Sequence, residues 1–387
     1  MAQGKRTPKQ GDAPAYECVR GQADPFMIII VCGLVFVGLA VMFSASFPKA
    51  YYNYGDGLYF FKRQGIFALA GLAAMYGLSH FDFRLYNTKP VAWLAILASI
   101  GLLLLVEVMG TTLNGAKRWL NLGPISFQPS ELVKVGVVVF TSYWICRVQK
   151  HFHRPFKAVL YVLPVLGLVG IICLLMLRQP HLSGTILILV ATGTLILVGG
   201  FPLIWIALGG VTVAGGLAYI VNFTDYQSAR IQMWQHPESD PLGGGFQILQ
   251  SLYAIGSGGL FGFGLGNGRQ KYLYLPEPQN DFVFAVACEE LGFVGAVVII
   301  VLFLLLAWRG YVIAMRCKDR FGSLLVIGII TLVSAQALLN IAVATNTIPV
   351  TGISLPFFSY GGTSLMILLA QMGIVLNVSR FSYVQKD

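Results

Sequence analysis

Stretches of about twenty apolar residues recur along almost the whole chain, separated by short segments that hold most of the charge. A helix of that length spans the hydrocarbon core of a bilayer. Backbone polar groups in lipid must be satisfied internally, and runs this long do so as helices rather than as the short alternating strands of a barrel. Only 11% of the 387 residues are charged and 56% are hydrophobic, whereas soluble domains carry about 25% charged residues. The chain therefore reads as an all-α polytopic membrane protein whose solvent is lipid.

Ten spans are expected, near 26–46, 65–79, 91–110, 131–146, 158–177, 185–200, 203–221, 282–308, 322–344 and 361–378. Between the sixth and seventh the only break is Phe201-Pro202. Residues 1–25 read as a polar cytoplasmic tail, 26–380 as one membrane domain and 381–387 as a second cytoplasmic tail. No cleavable signal peptide is expected, because the first apolar run is long enough to span.

With the N-terminus inside, 16 of the 26 Lys and Arg residues fall in inner segments, nine in outer segments and Lys134 within a span. That bias places both termini in the cytoplasm and the long segment 222–280, between the seventh and eighth spans, outside. It also accounts for the net charge of +10 without nucleic acid. None of the six cysteines falls in an outer loop, and no C-x-x-C pattern is present. The pair His151 and His153 reads as solvated inner-loop charge.

Ionisable groups inside spans are costly and mark candidate sites. Glu131 and Lys134 share a helical face. They are either an internal ion pair or the charged wall of a polar cavity. Lys117 and Arg118, with Trp119, read equally as interfacial anchors or as phosphate ligands. Asp281 stands where the outer loop meets the eighth span, and Glu289 lies close to two turns further along. One of the two adjacent carboxylates, Glu289 or Glu290, is expected to pair with a buried base such as Lys134.

An outer loop this long and this rich in aromatic and aliphatic residues is expected to be ordered and functional. It carries Gln247, Gln250 and Ser251 among the glycines of Gly243–Gly245, Gly256–Gly259 and Gly262–Gly266. No Walker motif is present, so these glycines either approach a ligand or pack short segments against the bundle. The uncharged connection Thr345–Gly362 suits an apolar groove for a lipid tail.

Together these residues resemble the SEDS family (shape, elongation, division and sporulation), the group of FtsW, RodA and SpoVE. The likeness runs from about Asp24 to Arg380. It rests on GAKRWL at Gly115–Leu120 with FQPSELVK at Phe127–Lys134, and on GFQILQS at Gly245–Ser251 with AIGSGG at Ala254–Gly259. It rests further on YLPE at Tyr274–Glu277 before Asp281, EELGF at Glu289–Phe293, and the 349–362 segment with SYGG at Ser359–Gly362.

The resemblance implies ten-span glycosyltransferases that polymerise lipid II and work with a class B penicillin-binding protein. It implies Asp281 as the essential extracellular carboxylate and metal ligand, and Arg118, Glu131 and Lys134 as cavity residues. It also implies a divalent cation, Mg or Mn. Phe43–Ser46 and Gly352–Pro356 look like the division and sporulation branches. One stretch departs: where the family reads Gln-Pro-Asp-Leu-Gly-Thr, this chain has Gln179-Pro-His181-Leu-Ser-Gly-Thr185. His181 reads either as a neutral or charged substitute for that carboxylate or as a plain loop residue.

The chemistry expected is deprotonation of a sugar hydroxyl by Asp281, with undecaprenyl pyrophosphate leaving without a covalent enzyme intermediate. Lys117, Arg118 and Lys134 would offset the leaving charge, while Gln247, Gln250 and Ser251 with the glycine-rich segments would cradle substrate. The competing functions are a flippase for the same lipid and a non-catalytic scaffold.

Overall fold

The structure is a computed structural model and describes residues 21–113, 116–123, 125–223, 231–272 and 274–381. Both tails beyond this range, including Lys5, Arg6, Lys9, Cys18, Arg20 and Lys386, lie outside the described residues, as do 224–230 of the outer loop.

Among the described residues, eleven α-helices are at least 12 residues long. They are α1 (Pro25–Tyr54), α2 (Tyr59–His80), α3 (Lys89–Met109), α4 (Pro129–Val148), α5 (Pro155–Arg178), α6 (Leu182–Val198), α7 (Leu203–Phe223), α8 (Phe246–Ser257), α9 (Val283–Arg316), α10 (Arg320–Ala344) and α11 (Gly362–Ser379). Every expected span lies within one of them, apart from a residue or two at its ends, while α1, α2 and α9 run six to eight residues past the expected bounds. Six, α1, α3, α5, α9, α10 and α11, are long and apolar enough to cross a membrane by length and composition, rather than the ten expected. α6 and the apolar part of α7 are shorter. α2 and α4 carry the polar residues Lys62, Arg63 and Gln64, and Glu131 and Lys134, within their first turns.

The chain is not wholly helical. Between α3 and α4 it forms a small antiparallel sheet of β1 (Thr111–Leu113), β2 (Ala116–Leu122) and β3 (Ile125–Phe127), in that order, with Thr111 opposite Trp119 and Leu120 opposite Phe127. This segment is too polar to stay in lipid, so its backbone pairs with itself in hairpins.

The first helix starts where Asp24 caps it, its Oδ1 accepting from the Met27 N–H at 2.9 Å, with Pro25 at the first helical position. Arg309 toward the C-terminal end of α9 holds the same carboxylate in a bidentate pair. α2 and α11 pack along their lengths. Gly71 allows this, because a Cβ there would lie 2.6 Å from a Leu369 methyl. α10 is among the most enclosed helices, contacting α9, α6 and α4.

α9 is broken at Gly292, which adopts φ 67° and ψ −169°. The groups released by the break are taken up by the glycine-rich loop. Glu289 and Glu290 carbonyls accept from the Phe263 and Gly264 N–H groups at 3.1 and 2.9 Å, and the Phe293 and Val294 N–H groups donate to Gly259 and Leu260 carbonyls at 2.9 and 3.1 Å. A broken helix in a membrane is tolerated when its freed groups find such partners. At Gly262 (φ +74°) a Cβ would lie 2.2 Å from the Glu290 carbonyl oxygen. These glycines therefore pack a loop onto a broken helix.

Candidate active site

Several segments converge on a cavity of about 430 Å³ at the end of the bundle where α4, α6, α9 and α11 begin. The start of α4 brings Glu131 and Lys134, and β2 brings Arg118 and Trp119. α2 contributes Arg63, the turn before α6 His181, α6 Ser183, α10 Gln336, and the turn before α9 Glu277, Asn280 and Asp281. The 352–361 connection closes one wall.

Asp281 is placed by backbone ties rather than by its own helix. The buried Asn340 of α10 donates from one amide nitrogen to the Asp281 carbonyl at 2.8 Å and to the Ile353 carbonyl at 2.7 Å. Ser359 Oγ donates to the Asn280 carbonyl at 2.6 Å while accepting from the Leu355 N–H, and the Tyr360 N–H donates to the Gln279 carbonyl. The turn carrying Asp281 is thus laced to the connection before α11, with Gly352 beside the carboxylate. A group held this way has little freedom to drift from a reacting atom.

Lys134 is 4% exposed. Its ammonium donates to Glu131 Oε1 at 2.9 Å and to Gln336 Oε1 at 2.7 Å, and Gln336 in turn donates to the Ser354 carbonyl and hydroxyl. The pair is both things the sequence left open: an internal ion pair and part of a cavity wall. Glu277 accepts from Lys49 at 2.7 Å, Asn280 at 2.8 Å and Gln279 at 3.2 Å. Arg118 donates to the Gln179 and Pro180 carbonyls, fixing the turn that presents His181.

Charge around the cavity comes from backbone as well as side chains. α4, α6, α9 and α11 all start at its wall, and none has a side-chain cap on its first N–H groups. Four positive helix ends facing one space favour an anion there. His181, in the turn between α5 and α6, is buried, and its Nδ1 has no hydrogen-bond partner. Burial first, then Arg118 and Lys134, pushes its pKa down to about 3. It is a neutral part of the cavity wall.

Several expected site residues lie elsewhere. Lys117 donates to the Glu107 and Val108 carbonyls at 2.6 and 3.2 Å, closing the C-terminus of α3. Gln247, Gln250 and Ser251 sit on α8, outside the cavity lining, and the buried Ser251 hydroxyl donates to the Ala344 carbonyl at 2.8 Å. α8 packs on α9 and α10. Glu290 pairs with Lys271 at 2.7 Å and not with Lys134. Ser44 joins that pair, and Glu289 accepts the Arg269 and Gln270 N–H groups.

Arg63 and Gln336 line the cavity besides the expected residues, as does Glu277 of the YLPE motif. Gln336 and Asn340 had a readable signal: two amides one helical turn apart in an otherwise apolar span.

The fold and site define a polytopic membrane protein with an ionisable cavity at one end of its bundle. The family described as "Cell cycle protein", covering FtsW, RodA and SpoVE, matches residues 25–384, and the chain belongs to it. "Stage V sporulation protein E" of Bacillus subtilis is 41% identical over 93% of this chain and 97% of its own length. "Probable peptidoglycan glycosyltransferase FtsW" of Trichlorobacter lovleyi is 38% identical, covering 92% of this chain and 93% of that protein.

Among solved structures, a chain from work on "polymerization and crosslinking by a peptidoglycan synthase complex" superposes with a TM-score of 0.75 at 31% identity, covering 94% of this chain and 99% of that one. Rod shape determining protein RodA of Thermus thermophilus gives a TM-score of 0.67 at 30% identity, covering 94% and 98%.

Proposed function

We infer that the protein is a peptidoglycan glycosyltransferase of the cytoplasmic membrane that polymerises lipid II. The observation that carries this is the meeting, in one cavity, of Asp281 with Arg118, Lys134 and four uncapped helix N-termini. Joining sugars at a lipid pyrophosphate requires a proton acceptor and a place for negative charge, and this space supplies both.

In the reaction proposed, an acceptor sugar hydroxyl attacks the anomeric carbon of the donor. The bond from that carbon to the pyrophosphate oxygen breaks, and its electron pair leaves with undecaprenyl pyrophosphate. Asp281 takes the hydroxyl proton as the new bond forms, which contributes about 10²–10⁴-fold. Arg118 and the helix N-termini face the leaving charge. Lys134, held by Glu131 and Gln336, fixes the opposite wall. Displacement from one face inverts the anomeric centre and needs no covalent enzyme intermediate.

A divalent cation is part of the proposal. Among the described residues no cluster of three or more His, Cys, Asp or Glu forms a cage. Mg²⁺ usually keeps several waters and takes one or two carboxylates plus substrate phosphates. Asp281, opening on the same cavity as the pyrophosphate, fits that arrangement, and the ion would offset phosphate charge there.

The reading includes ten crossings, with α2, α4, α6 and α7 joining the six longer apolar helices, and both termini in the cytoplasm. It includes a class B penicillin-binding protein as cross-linking partner and a role in division or sporulation, supported by the relatives named above. The test is purified protein given labelled lipid II in vesicles. Polymer on the outer-face side supports the proposal. Transbilayer movement without polymer identifies a flippase, and neither activity with partner binding intact identifies a scaffold.

A further inference from the structure

The cavity cannot contain the product of that reaction. Its volume of about 430 Å³ is that of a site for one small ligand, about 300–1,000 Å³. A strand lengthened unit by unit has to run out over a neighbouring surface, and α1 supplies one. The apolar run expected to cross the membrane ends near residue 46, yet the helix continues to Tyr54, about 12 Å further. This projecting tip carries Tyr52 and Tyr54, 75% and 53% exposed.

The tip is connected to the cavity by rings. Tyr54 stacks on Tyr59 with 3.9 Å between centroids, and Arg63 lies over the Tyr59 ring at 5.1 Å. Phe60 meets Tyr54 and Tyr59 edge-on and then Tyr360 at 4.8 Å. Arg63 and Tyr360 line the cavity itself. Lys49, one helical turn before Tyr52 and on its face, reaches Glu277 at the cavity rim. A belt of interfacial aromatics sets a helix's depth in the bilayer and has no need of such continuity with a cavity.

Sugar rings pack an apolar C–H face on aromatic planes and offer hydroxyls to Tyr O–H and Arg N–H groups. Tyrosine suits this, with a large rigid face and one polar end. We propose that the tip of α1 and the first turn of α2, through Tyr52, Tyr54, Tyr59 and Arg63, hold the neutral sugar chain of the growing glycan as it leaves the cavity. This rests on the glycosyltransferase reading above.

The full-length protein, its Tyr52→Ala/Tyr54→Ala variant and its Tyr52→Phe/Tyr54→Phe variant are compared in two assays. With labelled lipid II, the alanine pair shortens strands on the order of tenfold, several-fold more than it lowers the initial rate of bond formation, while the phenylalanine pair keeps strand length. By saturation-transfer NMR, a soluble β-linked N-acetylglucosamine tetramer binds the parent protein and is lost from the alanine pair. Wild-type strand length in the alanine pair overturns the proposal. So does a parallel fall in length and rate with tetramer binding retained. If the parent protein makes no polymer, the glycosyltransferase reading fails, and the tetramer assay alone decides this inference.

Discussion

Replacing Lys134 by Met tests how the cavity wall is held. The Lys134 side chain is 5% exposed and its partner Glu131 12%, at 2.9 Å. Removing one partner of a buried pair strands the other charge at a cost of about 3–5 kcal/mol. Gln336 also loses the donor at 2.7 Å from its Oε1, which adds about 1 kcal/mol. At roughly 2 °C per kcal/mol for a large chain, the apparent melting temperature of the purified protein in detergent falls by roughly 8–12 °C. Adding Glu131→Gln removes the stranded charge, so the double variant recovers at least half of that loss. It does not recover lipid II polymerisation, because the charged wall is gone. The two measurements together are a double-mutant cycle. The reasoning is refuted if Lys134→Met melts with the parent protein, or if the double variant is no more stable than the single.

Two further outcomes follow from particular residues. Gly262→Ala places a methyl 2.2 Å from the Glu290 carbonyl at φ +74° and costs about 1–3 kcal/mol in backbone strain alone. Protease added to the intact protein should then cut between 259 and 275 sooner than in the parent, and equal protection contradicts the account of the broken helix. The His181 imidazole, pushed down to about 3, binds a proton on unfolding between about pH 3 and the unfolded value near 6.5. Its stabilising contribution is complete above about pH 6.5 and is lost as pH falls, by up to about 1.4 kcal/mol per unit. His181→Asn should flatten a denaturation series over that window, and an unchanged slope rules out the buried neutral imidazole.

The helices were legible because lipid imposes one simple demand, an apolar run of fixed length, and α1, α3, α5 and α9 to α11 meet it outright. Asp281, Arg118, Glu131 and Lys134 were legible as charges with no business in or beside lipid, and they do meet in space. Less legible was where a long polar segment folds. Lys271 is 2% exposed against Glu290. Its nineteen-residue separation from that partner gave no periodic signal. The glycines near 262 specify backbone freedom and not what fills it, so a helix break and a ligand cradle looked alike until Gly292 was seen. Gln247 and Gln250 shared a motif with Ser251, but neighbours on one short helix need not face substrate. The β hairpins between α3 and α4 were missed because three-residue strands leave almost no pattern.

The most direct measurement is the initial rate of lipid II polymerisation by the purified Asp281→Asn variant, a change that keeps the shape of the side chain and removes its capacity to take a proton. A fall of about 10²–10⁴-fold, with the protein still folded and still retaining polyprenyl pyrophosphate, is the predicted result. Polymerisation at the parent rate would contradict the account.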